Sequence, residues 1–201
     1  VGSTTREGWH LQDIERVGPL VTTYSAFDTD GRAGTLAALH APLAVCPDLT
    51  LAFAASARLT SHFEHANVCQ CLASGTLDDA APYVVSTPYG GETLSELVAR
   101  RPGRIPPGEG LRIAHELAGV LTAAHGARVV HGALHPDSVV VTDEGAVKVL
   151  GFGTGALAHR ALKLLGWQPS LSAVAFTPPE LARNPSAPPT PKTDLWTAAA
   201  I

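Results

Sequence analysis

The chain has 201 residues, 45% of them hydrophobic and 16% charged, with a formal net charge of −4, so it can bury one sizeable core or two small lobes that share one. The acidic and basic residues are interspersed, which argues against a nucleic-acid-binding surface, and no stretch approaches the roughly 20 apolar residues of a membrane span. Three cysteines, an odd number, argue against a disulfide framework and favour a cytoplasmic protein, or the cytoplasmic portion of a longer chain.

The first part of the chain is predicted to be rich in strands. Mixed β-branched, aromatic and polar residues predict strands over 9–18 and 22–28, a hairpin turn over 28–31, and a third strand over 35–41. A helix is then expected from Asp48, with residues of one face at Ala52, Phe53, Ser56, Leu59, Thr60 and Phe63. Two more strands are predicted over 68–72 and 82–86.

The second part is predicted to be mostly helical. Thr93 and Glu96 form a capping box, and a long helix runs from Pro106 to Gly126. The predicted apolar stripe of that helix consists of Leu111, Ala114, Leu117, Ala118, Leu121 and Ala124. A hairpin follows over 139–150, then a proline-rich stretch of loops. This order predicts an α+β fold, with a β-rich domain over 1–88 and a largely helical domain over 89–201.

Five short motifs then occur in a characteristic order. The two central ones are Val130-His131-Gly132-Ala133-Leu134-His135-Pro136-Asp137-Ser138 and, after the hairpin, Gly151-Phe152-Gly153. They resemble the H-R-D-L-K-P-x-N loop and the D-F-G motif of protein kinases. The other three are Glu64-His65-Ala66-Asn67-Val68, Phe176-Thr177-Pro178-Pro179-Glu180 and Lys192-Thr193-Asp194-Leu195-Trp196, which resemble the H-P-N-[IV], Y-x-A-P-E and S-D-x-W motifs. The chain thus resembles a bacterial serine/threonine kinase over 9–201, which implies a bilobal kinase-like fold with a partial C-lobe.

The resemblance also shows which chemical groups are missing. Phosphoryl transfer depends on positioning and charge neutralisation, and five kinase positions carry residues that supply neither. His40 replaces the phosphate-binding Lys, Ser56 its Glu partner, Ala133 the catalytic Asp, and Ser138 and Gly151 the two metal ligands. The alignment at His40 can shift by one or two residues, but no neighbour is a Lys. Of the glycines in the phosphate-binding loop only Gly18 remains, and Pro19 after it lacks an N–H.

Other matched positions imply that the framework is retained. By resemblance, His131, Phe152, Gly153 and Asp194 hold the C-lobe together, and Glu180 matches an acid that pairs with a later Arg in the family. The resemblance also places residues around a nucleotide pocket: Gly18, Ala38, the small Ser86, and a floor formed by Val139 and Val141.

These observations favour a catalytically inactive kinase-like domain, a pseudokinase, that acts in signalling by binding a protein partner. No metal or cofactor is expected. One alternative is an atypical kinase in which His40, His135, Asp137 and Ser138 carry substitute roles. Another is a sensor that binds ATP weakly and without metal. A metal site at His62, His65, Cys69 and Cys71 is disfavoured, because this spacing is not a usual zinc pattern and one buried strand face explains the two cysteines better.

Overall fold

The computed structural model describes residues 3–59, 64–78, 80–101, 105–166, 174–185 and 187–201. The strands are β1 His10–Val17, β2 Val21–Phe27, β3 Ala33–Leu39, β4 Cys71–Thr76, β5 Pro82–Ser86, β6 Glu92–Thr93, β7 Val139–Val141 and β8 Val147–Val149. The helices are α1 Ala41–Ala44, α2 Pro47–Leu59, α3 Leu94–Arg100, α4 Pro107–Gly126, α5 Thr154–Leu165, α6 Pro179–Arg183 and α7 Pro191–Ala200. The predicted helix positions Thr60 and Phe63 lie outside the described residues.

The N-terminal lobe is an antiparallel sheet with strand order β1-β2-β3-β5-β4. The predicted turn between β2 and β3 is confirmed, because the Asp28 carboxylate accepts hydrogen bonds from the Asp30 N–H at 3.0 Å and the Arg32 N–H at 2.8 Å. Strand β3 ends at Leu39, two residues earlier than predicted. Helix α1 begins there at Ala41, with Pro42 in its first turn and an extended His40 as its N-cap.

The two faces of this sheet pack against different partners. On the outer face, an apolar cluster contains Trp9, Leu11, Ala26, Leu36, Ala38, Tyr83 and Val85. Gly34 is required there, since a Cβ at this position would lie 2.8 Å from the Trp9 ring and 2.6 Å from Val85. On the inner face, helix α2 packs beneath the sheet through Leu49, Ala52 and Phe53.

The C-terminal lobe is built around helix α4 and the small sheet β6-β7-β8. The predicted capping box at the start of α3 is present: the Glu96 N–H donates to Thr93 Oγ1 at 3.3 Å, and the Thr93 N–H donates to the Glu96 carboxylate at 2.7 Å. The predicted stripe of α4 is only partly right. The buried face consists of Ile113, Leu117, Val120, Leu121 and Ala124, whereas Leu111 is 72% exposed.

The segment before β4 joins the two lobes. Asn67 Nδ2 donates to the Glu116 carboxylate and to the Val147 carbonyl, both at 2.7 Å. The Val147 N–H donates to the same carboxylate at 3.0 Å, and Arg112 does so at 2.7 Å. One carboxylate on α4 therefore holds both the connecting segment and strand β8. Among the described residues, no helix combines the length and the apolar character that crossing a membrane requires.

The Glu116 carboxylate should make stability depend on pH. Burial raises its pKa, but hydrogen bonds from the Val147 N–H, Arg112 and Asn67 outweigh this and lower it below its ordinary value of 4.5. The carboxylate's stabilising effect is then complete above about pH 4.5 and is lost as the pH falls through the lower folded-state pKa. We expect Glu116→Gln to be less stable than the wild type at neutral pH, with the difference shrinking below pH 4.5.

The measurement is urea unfolding of both proteins between about pH 3 and pH 7. Glu64→Gln, at an exposed position on the segment before β4, serves as a matched control and should follow the wild type throughout. A stability difference that stays constant down to the acid limit would contradict the role given to Glu116.

Candidate functional site

The loop after α4 is anchored by one buried carboxylate on α7. Asp194 Oδ1 accepts the Gly132 N–H at 2.8 Å, and Oδ2 accepts the His131 N–H at 2.8 Å. The His125 ring nitrogen Nε2 lies 2.9 Å from the same Oδ2. With its side chain 1% exposed, Asp194 depends on these three contacts for charge compensation.

His131 extends this anchor to the end of strand β8. Its Nε2 contacts the Leu150 carbonyl at 2.7 Å, and the His131 and Phe152 ring centroids are 4.8 Å apart. Burial lowers the pKa of His131, although the Asp194 charge and the Leu150 carbonyl oppose this shift. A neutral imidazole that donates from Nε2 fits these contacts. The structure thus brings His131, Phe152 and Asp194 together, as the resemblance implied.

Gly153 allows the chain after Phe152 to approach helix α2 closely. Its φ is +79°, and a Cβ on it would lie 2.4 Å from Leu59 Cδ1 and 3.0 Å from the backbone of Ser56. Glu180, in contrast, lies exposed in the first turn of α6.

A cavity of about 240 Å³ lies between the lobes. Its walls come from the inner face of the sheet, helix α2 and the start of the Gly151 segment. Of the replaced kinase positions and the predicted pocket residues, Ser56, Ser86 and Gly151 line it. Phe152 of the predicted framework and the two cysteines Cys69 and Cys71 line it as well. Ser56 donates its hydroxyl to the Phe53 carbonyl at 2.7 Å, so its side chain is engaged within its own helix.

The other predicted pocket residues lie elsewhere. Ala38 is on the outer face of the sheet, and Ala37 lines the cavity instead, because successive side chains of a strand point to opposite faces. Gly18 forms the turn between β1 and β2, where its N–H donates to the Val21 carbonyl at 2.9 Å. Val139 and Val141 are buried in the C-lobe core; Val149 and Leu150 line the cavity in their place.

The assignment of His40 to the phosphate-binding position is also corrected. Its ring nitrogen contacts the Thr22 hydroxyl at 3.1 Å. The strand residue that continues the cavity-facing series from Thr35 and Ala37 is Leu39, which is 1% exposed. The conclusion that a lysine is absent from this end of the strand is unchanged.

Leu39 belongs to an apolar cluster that we call the leucine plug. Its buried members are Leu20, Leu39, Leu49, Ala52, Phe53, Leu157 and Ala161. Leu20 comes from the β1–β2 turn, and Leu157 and Ala161 come from α5. Sequence reasoning assigned the α5 region to loops. The signal for this helix was the spacing of Leu157, Ala161 and Leu164, which is helical.

Helix α5 also packs closely against the anchored loop. A Cβ on Gly155 would lie 2.3 Å from the Gly132 carbonyl carbon. Gly132 has a φ of +80° and faces Pro189, which a Cβ would approach to 2.8 Å. A large side chain at position 132 would therefore disrupt this packing. Ala133, at the predicted catalytic position, is exposed and carries no functional group.

The polar residues that follow Ala133 contact one another. His135 Nδ1 lies 3.1 Å from the Asp137 carboxylate, and the Ser138 hydroxyl donates to the His135 carbonyl at 2.7 Å. His40 lies in the other lobe. His62 is outside the described residues, and among those described no three metal-ligating side chains cluster.

A family model for protein tyrosine and serine/threonine kinases matches residues 46–199, more than half of the chain. The chain belongs to the protein kinase family. The kinase-like α+β fold predicted from the sequence is confirmed by the solved PknI kinase domain of Mycobacterium tuberculosis. That structure superposes with a TM-score of 0.76 at 20% identity, over 98% of this chain and 73% of that one.

Bacterial serine/threonine kinases are similar in sequence as well. The serine/threonine-protein kinase PknK of Mycobacterium tuberculosis is 31% identical over 139 residues, or 68% of this chain. The probable serine/threonine-protein kinase PknB of Corynebacterium glutamicum is 25% identical over 181 residues, or 88% of the chain. The chain spans 12% of the length of the former and 28% of that of the latter.

Proposed function

We propose that this kinase-family domain is catalytically inactive and acts in the cytoplasm as a regulatory module that binds a protein partner. The observation that carries the proposal is the leucine plug. Leu20, Leu39 and Leu157 meet where the β1–β2 turn, the end of β3 and the segment after Phe152 converge. A kinase needs cationic and metal groups at this place to hold the phosphates of ATP.

The charges around the cavity support the same conclusion. Among the described residues that line it, Arg16 is the one with a permanent positive charge, and it pairs with Glu96 at 3.1 Å. Burial raises the pKa of Tyr89 to about 12, and the nearby charge of Glu15 contributes to that rise. Two carboxylates and one arginine therefore surround this region, and their net charge is unfavourable for a triphosphate.

The catalytic loop gives a second, independent argument. Ala133 cannot accept a proton from a substrate hydroxyl, and Gly151 offers no side-chain oxygen to a metal ion. Losing a single acid–base group costs about 10²–10⁴ in rate. The framework centred on Asp194 is present without these groups, which fits a domain whose role depends on its fold and surface. The named relatives are serine/threonine kinases, and we propose that this chain shares their fold but not their phosphotransfer.

The test is a thermal-shift titration with ATP, with and without Mg²⁺ or Mn²⁺, together with a phosphotransfer assay. We expect no change in melting temperature at millimolar ATP and no transfer. A ligand present at 100 times its Kd stabilises by about 2.7 kcal/mol, so micromolar binding would be visible. The kinase domain of PknK, run in parallel, controls for the assay.

A metal-dependent shift accompanied by phosphotransfer would overturn the proposal. Transfer that disappears in His135→Ala would then favour the atypical kinase. A shift without transfer, independent of metal, would favour the nucleotide sensor.

A further inference from the structure

The cavity between the lobes has a lining that suits a ligand other than a nucleotide. Most of its walls are apolar, formed by Phe53, Ala57, Val68, Val84, Val149 and Phe152. Small side chains at Ala37, Ser56 and Ser86 create the space. At about 240 Å³ it exceeds the roughly 150 Å³ of an apolar cavity that binds benzene.

The cavity offers no compensation for a charged ligand. Apart from Arg16, which pairs with Glu96, each lining side chain in the described part of the chain is uncharged. Burial raises the pKa of both Cys69 and Cys71, which favours the neutral thiol form. The leucine plug, which shares Phe53 with the cavity wall, closes the end where phosphates would extend. A phosphate-bearing molecule would lose hydration there without regaining a partner.

Two hydroxyls supply polar contacts in this otherwise apolar space. Thr35 is 2% exposed. With the described residues, its Oγ1 makes no hydrogen bond of ordinary geometry. The Glu15 carboxylate is near it, and the Thr35 hydroxyl partly offsets the rise that burial causes in the pKa of Glu15. The Ser86 hydroxyl makes one long contact, 3.4 Å to the Thr35 carbonyl. Both residues line the cavity, so either can turn to a ligand.

We propose that this cavity binds an uncharged aromatic molecule of one or two fused rings that carries a single hydrogen-bonding group and no phosphate. The apolar walls contact the ring faces, and the Thr35 and Ser86 hydroxyls bind the polar group. The size limit follows from the cavity volume, and the absence of charge follows from the lining. This inference does not depend on whether the domain binds a protein partner.

The reaction rates of the three cysteines can test this proposal in the wild-type protein. Cys69 and Cys71 line the cavity, whereas Cys46 packs against the leucine plug and does not line it. None of the three cysteines is in a disulfide. Because the thiolate is the reactive form and burial raises the pKa of Cys69 and Cys71, labelling with an uncharged maleimide is done at about pH 8.5 and followed by mass spectrometry. The rates without indole are measured first, and the partly exposed Cys71 carries the test if Cys69 does not react. With indole as the probe at ten times its Kd, we expect Cys69 and Cys71 to react about tenfold more slowly and Cys46 at its original rate. ATP at the same concentration should leave all three rates unchanged.

Two serine variants test whether protection by indole depends on the cavity. Ser86→Leu fills the cavity and should abolish protection by indole. Ser74→Leu, at an exposed position on β4, places the same side chain outside the cavity and should retain it. Equal rates with and without saturating indole in the wild type would overturn the proposal, whether or not Ser86→Leu folds. Protection that persists in a folded Ser86→Leu, or that ATP provides equally well, would also overturn it.

Discussion

Replacing Asp194 by alanine is expected to lower the free energy of unfolding by about 3–5 kcal/mol. The side chain is 1% exposed and compensates two backbone N–H groups and the His125 ring. Removing it leaves these donors buried without an acceptor, and it detaches α7 from the loop that carries Gly132. Because most domains are stable by only about 5–15 kcal/mol, this loss removes a large part of the total. Chemical denaturation followed by circular dichroism measures it.

Two further variants separate the charge from the fold. Asp194→Asn keeps the shape but must turn its amide group towards either the His131 or the Gly132 N–H, so it should also destabilise. Asp30→Ala, on the exposed β2–β3 turn, should change stability by less than about 0.5 kcal/mol. If Asp194→Ala resembled Asp30→Ala, the carboxylate would not be the anchor of the C-lobe.

Restoring a lysine at Leu39 is expected to destabilise the domain by on the order of 4 kcal/mol without creating an ATP site. The new ammonium would lie among Leu20, Leu49 and Leu157, and Ser56 offers no carboxylate to pair with it. The free energy of unfolding from urea titrations and the ATP thermal shift are the two measurements. Leu39→Met preserves the volume and should cost less than about 1.5 kcal/mol.

The pH dependence of Leu39→Lys distinguishes a buried charge from poor packing. Burial lowers the pKa of a lysine, so the folded state binds fewer protons than the unfolded state. Stability should therefore rise with pH up to the unfolded-state pKa of about 10.4. A Leu39→Lys protein of wild-type stability that gained an ATP-dependent shift would mean that the lysine reaches the cavity. The leucine plug would then not be what prevents ATP binding.

The leucine plug also bears on the proposed absence of kinase activity. An Ala133→Asp substitution, which introduces the catalytic Asp of the family, would still leave Leu20, Leu39 and Leu157 in place. Gly155 of α5 also lies against Gly132, so the loop that carries Ala133 packs closely on α5. Inactivity, as proposed here, is thus a property of packing as well as of missing groups.

Motif order and residue pattern were enough to predict the family and the framework. The framework roles of His131, Phe152 and Asp194 could be assigned because the motifs that contain them resemble kinase motifs in residues and order. The turn at Asp28 and the capping box at Thr93 were also predictable, since a side chain that bonds to a nearby backbone group depends on local sequence alone.

Tertiary structure alone decided which residues face the cavity. Alternation along a strand shows which residues share a face, but not which face is the inner one. Ala38 and His40 were therefore predicted on the inner face, where the structure places Ala37 and Leu39. The predicted floor valines, Val139 and Val141, failed for a different reason: the residues that line the cavity, Val149 and Leu150, lie at the end of β8 and not on β7. Helix α5 was missed although the spacing of Leu157, Ala161 and Leu164 is helical. The contacts that bury Leu157 and Ala161 are with α2, about 100 positions earlier in the chain, and local sequence does not reveal them.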